Sequence, residues 1–377
     1  MAEAGRPLRL VFVNGSLGPG GAERFTTNLA NHWAGKGHKV SILLLSERVP
    51  PAYEIDPRVE LIVLDRHRGS PTPLHAVADV LRRRHRLRRQ LRQLQPDGTI
   101  GVMTYANCLL ALAGPVGGVR IGSERNYPPR MRIGRAWIAV RRAVYRRLDV
   151  VVAQTRETAD WLLKNVPVRA VEVIPNPVIH PLPVGTPVRP PQHTVPEGRR
   201  LLVGIGRLHP QKRFDRLIDA FAAIAGRHPE WDLAILGEGP LRAELEARIA
   251  AAELTDRIHL VGQTGNLADW FGRADLFALT SDHEGFPNVL LEALAHGLPA
   301  VSVDCMTGPR QILRDGTDGL LVPEGDPAAL AQALDRVMGD DALRARLAAR
   351  ATEVLDRFAP DRIAGQWEAL VRRGRGA

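Results

Sequence analysis

Ser281-Asp-His-Glu-Gly-Phe-Pro-Asn-Val-Leu-Leu-Glu292, followed by Ala-Leu-Ala-His-Gly297-Leu-Pro299, opens as a polar, turn-rich loop and becomes helical at Pro287 or Asn288. Proline suits a first helical turn, where its missing N–H costs nothing, and the Gly297-Leu-Pro299 signal stops the helix about three turns later. One carboxylate, Glu284, falls on the loop, and the other, Glu292, falls inside the helix. A loop running into a helix start presents backbone N–H groups to an anion, while a carboxylate on either side accepts hydrogen bonds from hydroxyls. That combination suits a phosphorylated sugar.

Outward from this stretch, apolar runs alternate with amphipathic segments. Strands are predicted over 201–205, 232–236, 258–261, 276–279 and 299–303, with helices over 214–227 and 241–252. The loop Gly206-Arg-Leu-His-Pro-Gln-Lys212 carries Arg207 and Lys212 between a strand and a helix, and Gly237-Glu-Gly-Pro240 follows the next strand. Two fixed cations at a helix start stabilise a diphosphate as its bond to carbon breaks. Arg213 stands beside them as a competing cation.

The first half has the same rhythm. A strand over 8–13 ends in Asn14-Gly-Ser-Leu-Gly-Pro-Gly-Gly21, a helix over 22–35 follows, and strands over 40–45, 59–64, 99–104 and 150–153 continue the series. The glycine loop lacks G-x-G-x-x-G spacing and the G-K-[ST] ending of a P-loop. It either lets backbone approach a ligand closely or makes a plain tight turn. A strand from 119 runs into Ser123-Glu-Arg-Asn126, placing Ser123, Glu124, Arg125 and Asn126 at a strand's carboxyl end as candidates for an acceptor site. The proline-rich stretch 181–196 reads as a linker. Alternation on both sides of it implies an α/β protein with a doubly wound, Rossmann-like parallel sheet in each half and a cleft between them.

At 377 residues and 45% apolar composition the chain has room for two cores. Cys108 and Cys305, one in each half, give no disulfide framework and suit a reducing compartment. No leader pattern and no run of about 18 apolar residues occurs, so export by that route and membrane spanning are not expected. The net charge of +10 is lopsided: residues 1–183 hold 28 Lys+Arg against 14 Asp+Glu, leaving 23 against 27 for the remainder. Two arginine-rich segments, 74–95 and 130–148, carry apolar stripes of Val80, Leu87, Leu91 and Leu94, and of Trp137, Val140, Val144 and Leu148. Each basic residue near an anionic bilayer contributes roughly 1 kcal/mol, so these helices are candidates for a lipid surface. Solvated faces on core helices and an arginine bias of coding are the bland alternatives. Nucleic acid is disfavoured for want of interleaved aromatics or a reading module.

Other chemistries fit less well. As a glycosidase pair, Glu284 and Glu292 are better placed to touch different parts of one long ligand. Asp282-His-Glu284 lacks the companions of a metal set. A dehydrogenase would need the fingerprint glycine loop. A non-catalytic polyanion- or nucleic-acid-binding protein remains the alternative from a different class.

With Arg207, Lys212 and the Glu284-x7-Glu292 spacing in place, the sequence resembles the retaining GT-B glycosyltransferases of family 4 over nearly its whole length, through Gly-Gly-Ala-Glu-Arg24, Gly206 to Lys212, Gly237 to Pro240 and Glu284 to Glu292. Ser-Glu-Arg-Asn126 and Asp304-Cys-Met-Thr-Gly-Pro-Arg310 are similar to the bacterial branch that adds N-acetylgalactosamine or related hexoses to polyprenyl-diphosphate-linked sugars. The resemblance implies that Arg207 and Lys212 hold the diphosphate of a UDP-sugar, Glu284 contacts the donor sugar and Glu292 the ribose. Amides of Gly285, Phe286, Asn288 and Val289 would assist, with Gly237 and Glu238 beside the donor and Gly20 and Gly21 closing from the other domain. It implies transfer with retention, without metal or cofactor, to a lipid-linked or oligosaccharide acceptor at the cytoplasmic face of the membrane. Relatives carry an acceptor-domain histidine where this chain has Glu124-Arg125. The implied domains are 1–183 for the acceptor, 184–359 for the donor, and a C-terminal segment 360–377 returning to the first.

Overall fold

The computed structural model describes residues 6–18, 20–46, 50–64, 73–131 and 133–374. The chain forms two compact units, Met1–Pro177 with Pro360–Ala377, and Val178–Ala359. In the first, strands β1 (Arg9–Asn14), β2 (Lys39–Leu44), β3 (Glu60–Val63), β4 (Gly98–Val102), β5 (Val119–Glu124), β6 (Val150–Ala153) and β7 (Val171–Val173) make one parallel sheet in the order β3-β2-β1-β4-β5-β6-β7. In the second, β8 (Arg200–Ile205), β9 (Trp231–Leu236), β10 (Ile258–Gly262), β11 (Leu276–Leu279), β12 (Ala300–Asp304) and β13 (Gly319–Pro323) are parallel in the order β10-β9-β8-β11-β12-β13. Strand order reverses at β1/β4 and at β8/β11. Open sheets bind ligands at such points, beyond the strands' carboxyl ends.

Apolar residues on both faces explain why each sheet is covered twice. Along β1, Leu10 and Phe12 face a core shared with helix Gly21–Gly35, while Val11 and Val13 face the opposite core beneath helices Pro73–Leu94 and Met103–Ala113. The helix Pro360–Arg373 closes the first of these cores with Ile363, Trp367 and Val371. Its Trp367 ring lies 5.6 Å from that of Phe25, and Glu368 Oε1 accepts from Trp33 Nε1 at 3.1 Å. Gly98 makes room for it, because a Cβ there would lie 2.5 Å from Val371 Cγ2.

Several expectations change. The first unit ends at Pro177 and not at 183, and the proline-rich stretch is no free linker but a strap bound along the second unit. Val178 N donates to Phe358 O at 2.8 Å, Leu182 and Val195 enter the core, and Gly185 N and Gly265 N donate to Gly265 O and Pro187 O at 2.8 and 2.7 Å. Asn266 brackets Arg189, accepting from its N–H at 2.9 Å and donating to its carbonyl at 3.2 Å, and Trp270 Nε1 donates to the same carbonyl at 2.8 Å. Proline supplies no backbone donor, and the strap's remaining polar backbone finds partners in Gly265, Asn266 and Trp270.

The segment 99–104 also divides, as β4 stops at Val102 and helix Met103–Ala113, not anticipated from the pattern, begins at Met103 with φ +73°. The helix expected over 130–148 is Arg135–Val144, with Gly134 as its N-cap, between short turns at Pro128–Arg130 and Tyr145–Arg147.

The arginines of helix Pro73–Leu94 do not all face outward. Arg83 donates to Tyr105 Oη at 2.8 Å, Arg84 to Leu112 O at 2.7 Å, Arg86 to Leu64 O at 3.0 Å and Arg88 to Ala113 O at 3.1 Å. Two of these cap the carbonyl end of helix Met103–Ala113, where cations are favoured.

Replacing Asn266 with alanine removes the bracket and should cost about 2–3 kcal/mol in urea unfolding, with faster hydrogen exchange across 185–190. Unchanged exchange there would show that the strap is held by its apolar residues alone.

Candidate functional site

The second unit's site is built from loops that leave β8, β9, β11 and β12 at their carboxyl ends. The first two interlock through glycine. Gly237 has φ +143°, and a Cβ on it would lie 1.9 Å from Gly206 O; one on Gly239 would lie 2.3 Å from Leu208 O. The Gly237-Glu-Gly-Pro240 motif therefore serves close backbone packing, sealed by Leu208 N donating to Glu238 O at 3.1 Å. Glu238 itself is exposed and bidentate with Arg242, at 2.7 and 2.9 Å, which holds its carboxyl below the usual range.

The β8 and β11 loops are joined backbone to backbone and through side chains. Asp282 N donates to Gln211 O at 2.9 Å, Gln211 Nε2 to His283 O at 2.8 Å, and Thr280 Oγ1 to Lys212 O at 2.9 Å. This brings Lys212 Nζ to 2.6 Å from Glu284 Oε1, and Ser281 Oγ donates to the same oxygen at 2.6 Å. Arg207, five positions before Lys212, is exposed and makes no hydrogen bond or ion pair with any described residue. Arg213, the competing cation, is occupied: it is bidentate with Asp215 at 3.0 and 2.8 Å and reaches Asp282 at 3.3 Å, with Arg216 on Asp282 at 3.1 Å. The same contacts commit Asp282, and no cluster of three His, Cys, Asp or Glu suited to a metal occurs among the described residues.

Helix Asn288–Ala295 begins directly after Pro287, with Gly297 at φ +79° ending it. Its length is eight residues, shorter than expected. Gly285 precedes it on the loop, Phe286 is buried with its ring 5.8 Å from Phe358, Val289 packs at the core's edge, and Glu292 is buried within the helix. Phe286 thus leaves only its backbone for a ligand.

Thr307, after β12, went unassigned in the sequence, where only its Thr-Gly-Pro turn signal marked it. It is buried at φ +102°, a costly conformation for a β-branched residue, and its hydroxyl donates to the carbonyl oxygen of Glu284. Gly308 behind it must be glycine, since a Cβ would sit 2.5 Å from Pro287 Cδ. The β12 loop therefore fixes the peptide that joins Glu284 to Gly285. Cys305 on this loop is buried, which pushes its thiol up, and burial likewise takes Cys108 up to about 12; both are inert packing residues.

In the first unit, the candidates part company. Glu124 is fully buried, accepting from Thr104 Oγ1 at 3.1 Å and from the hydroxyl of Tyr145, which in turn accepts from Asn107 Nδ2 at 3.1 Å. Burial raises its pKa, opposed by the Tyr145 bond. It braces the end of β5 and has no side available to an acceptor. Arg125 lies on the other face with its guanidinium 3.6 Å from the Phe25 ring centroid, and Asn126 Nδ2 is 3.7 Å from Met103 Sδ. Gly20 caps helix Gly21–Gly35 in extended conformation, and a Cβ there would meet Glu23 Oε2 at 2.2 Å. Glu23's own carboxylate thus lies against this helix start, its pKa raised by burial.

A family model described as Glycosyltransferase Family 4 matches residues 19–180, and one described as Glycosyl transferases group 1 matches 187–354. The chain is 32% identical to an exopolysaccharide phosphotransferase of Streptomyces coelicolor over 93% of its own length but only 39% of that protein's. It is 26% identical, over 98% of this chain and 100% of the other, to an α-1,4-N-acetyl-D-galactosaminyltransferase of Campylobacter jejuni whose substrate is a diNAcBac-PP-undecaprenol-linked glycan. Among solved structures, Anabaena HepE in complex with UDP and glucose superposes with a TM-score of 0.76 at 18% identity, covering 97% of this chain and 99% of that one; the likeness establishes a GT-B fold.

Thr307→Val keeps the shape but leaves the Glu284 carbonyl without its donor, and should cost about 1–3 kcal/mol in denaturant unfolding. Thr307→Ser retains the hydroxyl and should stay near wild type; equal losses in both would assign the site to the methyl group.

Proposed function

The chain belongs to glycosyltransferase family 4, and on that premise we propose that it moves a hexose or N-acetylhexosamine from a UDP-sugar to a glycan acceptor carried on a lipid diphosphate, with retention at the transferred carbon and without a metal, in the assembly of a cell-surface polysaccharide. The observation that carries this reading is the Lys212–Glu284 pair, 2.6 Å long, on two interlocked loops, with the uncommitted guanidinium of Arg207 on one of them. Arg207 and Lys212 take the donor's diphosphate and stabilise the charge that develops as the sugar leaves, the task a metal performs elsewhere. Glu284, held 2.6 Å from Lys212 Nζ, orients the sugar's hydroxyls. Glu292 takes the ribose. The backbone amides of Gly285, Phe286, Asn288 and Val289 assist, the Glu284–Gly285 peptide being fixed by Thr307. The UDP in the HepE complex and the undecaprenyl-diphosphate acceptor of the Campylobacter relative support the two substrate classes. The Streptomyces relative's phosphotransferase name belongs to a protein of which this chain matches a minor part.

A panel of UDP-sugars, followed for slow donor hydrolysis and for transfer to a lipid-diphosphate glycan, tests the assignment. Lys212→Ala and Glu284→Gln should each lower kcat about a hundredfold or more with the fold intact. Glu284→Gln also releases Lys212, so UDP should bind it at least as tightly as wild type in calorimetry. Full activity in both variants would sink the assignment.

A lipid-diphosphate acceptor would bring the protein to a membrane surface, and we propose the inner face of the cytoplasmic membrane. Among the described residues no helix is long and apolar enough to cross a bilayer. Helix Pro73–Leu94 presents Val77 and Leu81, 60% and 55% exposed, on the same side as exposed His85, Arg89 and Arg92. On helix Arg135–Val144, Arg135, Ile138, Ala139 and Arg142 line one shallow groove. Apolar side chains amid arginines suit peripheral binding to anionic lipid. Vesicles rich in phosphatidylglycerol should retain the protein at low salt, and Arg89→Glu with Arg92→Glu should weaken retention by about tenfold or more. Equal retention on phosphatidylcholine vesicles would refute the membrane surface.

A further inference from the structure

Two arginines are buried beside the end of β5, and they differ in what offsets their charge. Arg141 lies 5.0 Å from the Trp161 ring centroid, and its charge acts on the buried carboxylate of Glu124. Arg125 is only 5% exposed and has no acidic group acting on it. Its Nη1 donates to Ser123 Oγ at 3.4 Å. Its Nη2 donates at 3.2 Å to the side-chain oxygen of Gln154, in the amide orientation that the surrounding hydrogen bonds require, while the same amide donates to Arg125 O and meets Asn176. The Nε hydrogen has no acceptor. Glu124, next in the chain, faces the opposite side of the sheet, because successive strand residues alternate.

Neutral partners and one aromatic face do not balance a buried guanidinium, and burial pushes its pKa down to about 9. Such a group is strongly unfavourable until an anion completes it. Its surroundings come from the carboxyl ends of β5, β6 and β7 and from helix Gly21–Gly35, which supplies Phe25. That is the edge at which open parallel sheets hold ligands.

We propose that Arg125, seated on Phe25 and steadied by Ser123 and Gln154, is the anchoring cation of an oxyanion subsite in the first unit that takes a phosphoryl oxygen. A planar fork suits phosphate, and Nε with one Nη offers it two parallel donors. The choice of phosphoryl group rests on the glycosyltransferase reading, in which donor and acceptor both carry diphosphates; the subsite itself does not.

The test uses the full chain carrying Arg207→Ala and Lys212→Ala, so that the second unit's candidate cations are absent, and follows thermal unfolding with inorganic pyrophosphate against potassium chloride of equal ionic strength. Pyrophosphate should raise the melting temperature, and adding Arg125→Met should abolish that rise. Without ligand, Arg125→Met should unfold at no lower temperature, since an uncharged side chain of similar length still covers Phe25; Arg125→Lys should keep part of the pyrophosphate response. No rise in the double variant, or a rise that survives Arg125→Met, overturns the subsite. In the otherwise wild-type enzyme, Arg125→Met should then raise KM for the lipid-diphosphate acceptor about tenfold or more if the acceptor's phosphate is bound, or weaken UDP by a similar factor if the donor's is. Movement of neither overturns the proposal. Absence of any transfer activity alongside an intact pyrophosphate effect would refute the enzymatic reading and leave the subsite standing.

Discussion

Lys212 and Glu284 come from loops after different strands, and each would be costly to shield from water without the other. Their 2.6 Å contact exists because β8 and β11 are neighbours at the reversal of the strand order, so the loops leaving them are adjacent. Gln211, Thr280 and Ser281 then tie those loops so that the ammonium and carboxylate meet in one place. Arg213 shows the same logic from the negative side. It follows Lys212 directly, yet its charge is taken up by Asp215 and Asp282 and not by Glu284, so two neighbouring cations point to separate carboxylates.

Much of the fold is legible in the sequence. The apolar runs marked nearly every strand because β1, β8 and β9 are buried on both faces, and the polar loop ahead of Asn288 is the segment in which Glu284 meets Lys212. What the sequence withheld was pairwise: that Lys212 meets Glu284, remote in the chain, while the adjacent Arg213 pairs with nearby Asp215 and also reaches Asp282. The arginine-rich helix likewise announced its charge but not that Arg84 and Arg88 spend it on the carbonyls of Leu112 and Ala113. Glu124 and Arg125 are adjacent acceptor candidates in the sequence, yet consecutive residues at a strand's end face opposite sides of the sheet.

Backbone strain sits at the joints between elements. Of the five non-glycine residues with positive φ among the described residues, Met103, Arg213 and Thr307 lie on connections leaving strands, and Gln95 and Glu253 follow helices. Such conformations persist only where surrounding contacts over-determine them. At Thr307 the compensating contact is visible, its hydroxyl on the Glu284 carbonyl. The glycines at 237, 239 and 308 play the complementary part, letting one loop's backbone lie directly against another's.

The helix Pro360–Arg373 has a consequence for how this chain is made. The second unit is a continuous run, Val178–Ala359, whereas the first lacks one of its own walls until the last residues arrive. On a ribosome, Phe25, Trp33 and the face of β4 at Gly98 emerge long before Trp367 and Val371 exist to cover them. Birth order and completion order are therefore reversed: the unit translated first is finished last, and its bare aromatic face must be kept from other nascent chains throughout the synthesis of the second.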